Sequence, residues 1–325
     1  MYTAFFQLAN KPFRMTPDPA FLYLTPSHRE ALAGITYAIL DRKGFLVLSG
    51  MAGTGKTTVL TSVLGSLPQS KVRTSVILNP TLTPSEFLEM AMIDFGILDI
   101  PESKAQRLWK LQAFLMKARQ ADQICALIVD EAHKLNPELL EEVRLLGNFE
   151  HADEKLLQIL LIGQSELDEV LSRKELWQFT QRISVRLSIP PLSPAATGEY
   201  IAHRWAKAGG SAPHPFSPQA VARIALLSAG IPRIINCVCD NALTLAFADS
   251  ARRVEVEHIN SVAIDLHLTE PLAEKPAPAI LAPAPPAAKA LPETFPVRMK
   301  TLERYAPSPS KSSLFARWAE RLGLA

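Results

Sequence analysis

The run Gly50-Met51-Ala52-Gly53-Thr54-Gly55-Lys56-Thr57 fits the pattern G-x-x-x-x-G-K-[ST]. It constrains the fold more than any other stretch, because such a loop works only between a strand and a helix. Small residues let successive backbone N–H groups turn inward around a phosphate. A following helix then aims its positive end at the same group. The flanks supply both elements. Gly44–Ser49 holds a short apolar run that reads as a buried parallel strand, and Thr57 to Leu64 reads as a helix. Lys56 is then placed to reach the β- and γ-phosphates of a nucleotide, and the Thr57 hydroxyl to ligate Mg²⁺.

A second signature lies 74 residues beyond Lys56. Ile124-Cys125-Ala126-Leu127-Ile128-Val129 is apolar throughout and ends in Asp130-Glu131. A strand buried on both faces would deliver Asp130 to the carboxyl edge of a sheet, where it can hold Mg²⁺ mostly through water. Glu131 can orient and deprotonate an attacking water. Leu156 to Ile162 is another buried strand, ending in Gly163-Gln164. The Gln164 amide can bind the γ-phosphate or the water, or merely cap its loop.

The remaining chain alternates in the same way. Val72–Leu78 reads as a strand. Helices are expected from Ser27 to Asp41, after Thr83-Pro84, from Ser103 to Arg119, and after Asn136-Pro137. Ile183–Ile189 is strand-like and stops at Pro190-Pro191. This predicts an α/β domain over 1–192. From Ser193 to about Leu268 only helical signals remain, with starts at Ser193-Pro194, Ser217-Pro218, Gly230-Ile231-Pro232-Arg233 and Val256. That predicts a small all-α domain over 193–268. Residues 269–310 hold 10 of the 26 prolines and read as a semi-stiff spacer. Residues 311–325 regain helical spacing, with Leu314, Phe315, Trp318 and Leu322 on one face, as a docking peptide or a helix folded back on the chain.

The opening 27 residues carry Tyr2, Phe5, Phe6, Phe13, Phe21 and Tyr23 among four prolines. Such a strip is too apolar for a disordered tail. It is expected to lie on the main domain, walling an adenine pocket or simply packing. His28 reads as a surface helix residue. The three cysteines, Cys125, Cys237 and Cys239, form no disulfide framework. Cys237 and Cys239 read as a helix-buried apolar pair. No apolar run reaches the ~18 residues that span a bilayer, and the N-terminus lacks a signal-peptide core. A cytosolic location is therefore expected, with the inner membrane reached only through a partner.

Together these parts resemble the AAA+ ATPases: a P-loop NTPase sheet flanked by helices, followed by a helical lid. The resemblance narrows to the ExeA/GspA group, the general secretion pathway protein A ATPases. It rests on Met1-Tyr2 with Phe5-Phe6, Thr16-Pro17-Asp18-Pro19, Gly53-Thr54-Gly55-Lys56-Thr57-Thr58, Val129-Asp130-Glu131-Ala132-His133, Gln181-Arg182-Ile183 and Gly230-Ile231-Pro232-Arg233. It covers about residues 1–268.

The resemblance implies ATP and Mg²⁺ as ligands, with Thr58 among the nucleotide contacts. It makes Gln164 a first sensor and Arg233 a second sensor on the lid. It makes Arg182 an arginine finger for a neighbouring subunit, with Arg186 as second choice. It further implies a ring or other homo-oligomer and envelope secretion, pilus or polysaccharide-export components as partners. The membrane span and wall-binding domain of the archetypal secretion protein are not expected here. The rival is a DNA-dependent ATPase that loads or targets a transposase or replication factor. Residues 269–325 carry 8 Lys+Arg and 5 Asp+Glu, so the remainder is −1 of the total +2, which does not favour strong phosphate-backbone binding.

Overall fold

The computed structural model describes residues 2–268, apart from Pro17 and Asp153. The expected spacer and C-terminal helix lie outside the described residues. Five strands form one parallel sheet: β1 (Phe45–Ser49), β2 (Val72–Ile77), β3 (Ile124–Val129), β6 (Leu157–Ile162) and β7 (Ile183–Ser188). Two short strands, β4 (Glu150–His151) and β5 (Glu154–Lys155), pair separately as an antiparallel hairpin. The sheet order is β2-β3-β6-β1-β7. The inner strands β1, β3 and β6 are buried at every residue, as a parallel sheet covered on both faces requires. Edge strand β7 alternates instead, with only Leu187 fully buried.

Side-chain alternation along β1 assigns the two faces. Phe45 and Val47 enter one core with α4 (Pro84–Asp94), α5 (Lys104–Gln120) and α6 (Pro137–Leu146). Leu46 and Leu48 enter the other with α2 (Pro26–Leu40) and α3 (Lys56–Ser66). Helix starts follow their caps. Thr83 and Glu86 form a reciprocal capping box on α4, and the Asn136 side chain accepts the Leu139 N–H at 2.8 Å. The α2 start differs from expectation. Thr25 is the cap and Pro26 the first helical residue, because the Thr25 oxygen accepts the His28 N–H at 3.2 Å.

Two short helices, α7 (Glu166–Leu171) and α8 (Trp177–Thr180), lead into β7, and the residues beyond it form a helical unit: α9 (Pro194–Lys207), α10 (Pro218–Ser228), α11 (Pro232–Ala248) and α12 (Val256–Asp265). Cys237 and Cys239 both sit on α11; Cys239 is buried and Cys237 only half-buried.

The first part of the aromatic strip does not seat on the sheet layer, whereas the turn Pro19–Phe21 packs between α3 and α9. Tyr2, on the short helix α1 (Tyr2–Phe5), Phe6 and Phe13 belong to the core of the helical unit, with Tyr200, Trp205, Phe216 and Ile235. Polar contacts fasten the same join. The Tyr2 hydroxyl donates to Asp240, Ala9 N–H to Ala208 O at 2.9 Å, and Arg204 Nε to Pro12 O at 2.6 Å. The four helices leave an apolar face that these rings close. Phe13 is 1% exposed and meets Phe216 edge-on at 5.9 Å. Phe13→Ala should lower the unfolding free energy by about 3–5 kcal/mol, read from the urea midpoint. A loss under about 1 kcal/mol would mean that the ring is not structural.

Candidate nucleotide site

Three neighbouring strands, β3, β6 and β1, deliver Asp130, Gln164 and the Gly50 loop to the same carboxyl edge. Strands lie about 4.8 Å apart, so those ends span roughly 10 Å. In open α/β sheets that edge is where ligands bind. A cavity of about 290 Å³ opens there, between the loop, the N-terminal strip and the helical unit.

The loop is built by backbone that only glycine adopts easily. Gly55, with φ +104°, turns directly into α3. Lys56 follows it, 7% exposed, and its ammonium donates to Gly50 O at 2.6 Å and Met51 O at 2.9 Å. Burial pulls the Lys56 pKa down, while the Asp130 and Glu131 charges push it back up. A cation folded onto carbonyls of its own loop suits a site that receives anionic oxygens. Thr57, Thr58, Ala52, Gly53 and Thr54 also line the cavity.

Gly53 is where the loop meets the helical unit. A Cβ there would lie 2.8 Å from the Arg233 Cβ and 3.0 Å from Ile231 Cγ2. The Arg233 N–H also donates to Gly53 O at 3.3 Å. Arg233, at the start of α11, lines the cavity.

Asp130 is 8% exposed, and its Oδ1 accepts the Glu131 N–H at 2.8 Å. Burial raises the Asp130 pKa, against that hydrogen bond and the Lys56 charge. Glu131 sits in the left-handed region, at φ +53° and ψ +32°. A non-glycine residue there costs about 1–2 kcal/mol. Its carboxylate lies 3.3 Å from Lys134 Nζ and 3.6 Å from His133 Nε2. Glu131 and Gln164 both line the cavity. The Gln164 N–H donates to His133 Nδ1 at 3.4 Å.

The residues fit Mg²⁺. The Thr57 hydroxyl and Asp130 carboxylate are hard oxygen donors. Among the described residues no group of three or more His, Cys, Asp or Glu forms a metal cage. An ion here would therefore take most of its coordination from phosphate and water.

Arg182 is not brought to this cavity. It precedes β7, whose first residue pairs with Phe45 at the start of β1, so it lies at the opposite edge of the sheet. Six residues of strand place it roughly 20 Å from the loop. Its guanidinium donates to Asn148 and to Arg144 O. Arg186 sits partway along β7, 3.8 Å from Asp168.

His28 is a correction. It is 4% exposed, with Nδ1 2.6 Å from the Thr25 hydroxyl and Nε2 3.2 Å from Thr54 O. It buttresses the phosphate loop from α2, and burial lowers its pKa. Phe21 and Tyr23 line the cavity, so the strip both packs and walls. Beside them Arg204 Nη1 donates to the Tyr200 hydroxyl at 2.9 Å, which donates to Asn236 at 2.8 Å. Tyr200 and Arg204 are one turn apart on α9, but Asn236 comes from α11, so nothing local in the sequence marked the whole relay.

The family description "AAA domain" matches residues 39–171. General secretion pathway protein A of Aeromonas hydrophila is 39% identical over 267 residues. That match takes in 82% of this chain and 48% of the relative, so the chain spans about half the relative's length. Among solved structures, Cdc6p from Pyrobaculum aerophilum is similar with TM-score 0.59 and 17% identity, over 77% of this chain and 71% of that one. The Aeropyrum pernix ORC2 protein, in its ADPNP–ADP complexes, gives 0.56 and 15% identity over 77% and 72%. The Aeropyrum pernix ORC1 protein in complex with DNA gives 0.55 and 19% identity over 79% and 69%. At those identities the structures establish the fold alone. Among the described residues no helix is long and apolar enough to cross a membrane. The chain thus carries an AAA domain over residues 39–171 and is similar over 82% of its length to general secretion pathway protein A, with the phosphate loop and the carboxylates of its nucleotide site at one sheet edge.

Proposed function

We propose that the chain hydrolyses ATP to ADP and phosphate in a Mg²⁺-dependent reaction, and that the cycle switches a homo-oligomer serving an envelope secretion or export system. The observation that carries this reading is the meeting of Lys56, Asp130, Glu131 and Gln164 at one sheet edge, with Arg233 supplied by the helical unit.

Each residue then has a task. The loop N–H groups and Lys56 hold the phosphates. Thr57 and Asp130 would hold Mg²⁺, which would supply positive charge against the phosphates. Glu131 accepts the proton of the attacking water. Gln164 orients that water or the γ-phosphate. Arg233 carries charge toward the γ-phosphate and ties closure of the helical unit to the bound nucleotide. Arg182 serves the nucleotide of a neighbouring subunit, since its own is across the sheet.

The secretion role rests on the name of the relative, and pilus or polysaccharide export fits the same residues. The protein would work in the cytosol, at the inner membrane only through a partner. Residues 269–325, expected from their sequence to be a spacer and a short helix, are its proposed route to that partner.

The test is phosphate release measured with and without Mg²⁺ over a range of protein concentrations. The specific rate should rise with concentration as subunits assemble and vanish with a chelator. No Mg²⁺-dependent release at any concentration would sink the reading. Strong stimulation by duplex DNA at moderate salt would favour the DNA-dependent rival.

A further inference from the structure

Glu131 and Gln164 come from different strands, and one side chain lies between them. His133, on the single turn Ala132–Lys134, is 14% exposed. Its Nδ1 is 3.4 Å from the Gln164 backbone nitrogen, an N–H that can only donate. Nδ1 is therefore the acceptor nitrogen of the neutral ring, and Nε2 carries the hydrogen. That Nε2 faces two groups: Glu131 Oε2 at 3.6 Å and the Gln164 side-chain nitrogen at 3.4 Å, where a flip of the amide places its oxygen instead. It has one hydrogen to give. Glu131 can accept it directly, and Gln164 can accept it when the amide oxygen is turned inward.

We propose that His133 is a positioning residue that passes the state of Gln164 to Glu131 through this single shared N–H. The inference rests on the hydrolytic reading above. When the Gln164 amide turns to the phosphate or water, it leaves the imidazole, and the Nε2–H passes to the Glu131 carboxylate. That bond holds the carboxylate against the pull of Lys134, which stands on its solvent side at 3.3 Å and is half exposed. Without a γ-phosphate, Gln164 competes for the N–H and Glu131 is left to Lys134. Proton abstraction is then oriented only when the sensor is engaged. The left-handed backbone of Glu131 serves the same arrangement, because it folds the turn back so that His133 reaches both strands.

The test uses the full chain. His133→Phe keeps the ring's bulk and removes both nitrogens. It should lower kcat about 10- to 100-fold with ATP affinity unchanged. His133→Gln, which restores an N–H at the Nε2 position, should recover part of the loss. In Gln164→Ala the Nε2–H has no competitor and stays on Glu131, so adding His133→Phe should lower kcat further. Parental kcat in His133→Phe, or no further loss when it is added to Gln164→Ala, would overturn the proposal. A second readout does not need turnover. In protein labelled with ¹⁵N-histidine, the signal missing from His133→Phe among the seven histidines identifies His133. It should show the Nε2-protonated tautomer, and its Nε2 resonance should differ between ADP and a non-hydrolysable ATP analogue. The opposite tautomer, or an unmoved resonance, counts against the relay. A parent without hydrolysis would defeat the proposed function instead, and the tautomer would still decide this inference.

Discussion

Glu131→Gln should hold ATP as the parent does and hydrolyse it about 10²–10⁴-fold more slowly. The amide matches the carboxylate in shape, so the cavity and the Asp130 bond to the Glu131 N–H are retained. What disappears is the proton acceptor. Because hydrolysis would reset the assembly, the variant should accumulate as an ATP-bound oligomer, visible by light scattering. Lys56→Ala is the contrasting variant. Its ammonium is the buried cation beside the loop carbonyls, so ATP binding itself should be lost. A fluorescent ATP analogue separates the two outcomes. Hydrolysis by Glu131→Gln at the parental rate would remove Glu131 from the role of base.

Arg182→Ala should lower hydrolysis by about 10³-fold or more in assembled protein, with ATP affinity little changed. The magnitude follows from an arginine beside a loose phosphoryl-transfer transition state. A finger role for Arg182 would need a partner subunit, because the residue lies at the far edge of its own sheet. Its present contacts, Asn148 and the Arg144 carbonyl, are neutral groups that a phosphate can outcompete. Mixing Arg182→Ala with Lys56→Ala distinguishes trans from cis action. The first keeps an intact pocket and the second an intact Arg182, so mixed oligomers should regain activity. No recovery in confirmed mixed oligomers would count against Arg182. Recovery with Arg186→Ala in its place would move the role to the exposed middle of β7.

The parts legible in the sequence were those carried by local rules. The loop, the apolar strands and the caps at Thr83, Asn136, Ser193 and Ser217 each depend on a few adjacent residues, and each stands where expected. The Asp130-Glu131 edge was legible because a fully buried strand can end in carboxylates only where the sheet opens. His28 was misread because one polar ring on a helix gives no sign of which neighbour covers it. Here the neighbour is Thr54 O, 26 residues away. The aromatic strip was misplaced for the same reason on a larger scale. Its rings announced burial but not their host, and the host is a helical unit more than 190 residues downstream. His133 was visible as a letter of the motif, yet its place between Glu131 and Gln164 exists only once β3 and β6 pair.

The join between the N-terminal strip and the helical unit sets an order on biosynthesis. Tyr2 finds Asp240, its hydrogen-bond partner, 238 residues later. At about 5–20 residues per second, the ribosome needs on the order of 10–50 s to make that span. The sheet and its covering helices, residues 26–188, are complete well before then. The first aromatic residues must therefore wait, unhoused, beside a domain whose strands have already been made. Contacts of such long sequence separation are slow to form, and exposed rings during the wait invite association. Nascent-chain handling of this protein should consequently be most critical at its beginning, although the partner that rescues it is among the last parts of the described fold to be made.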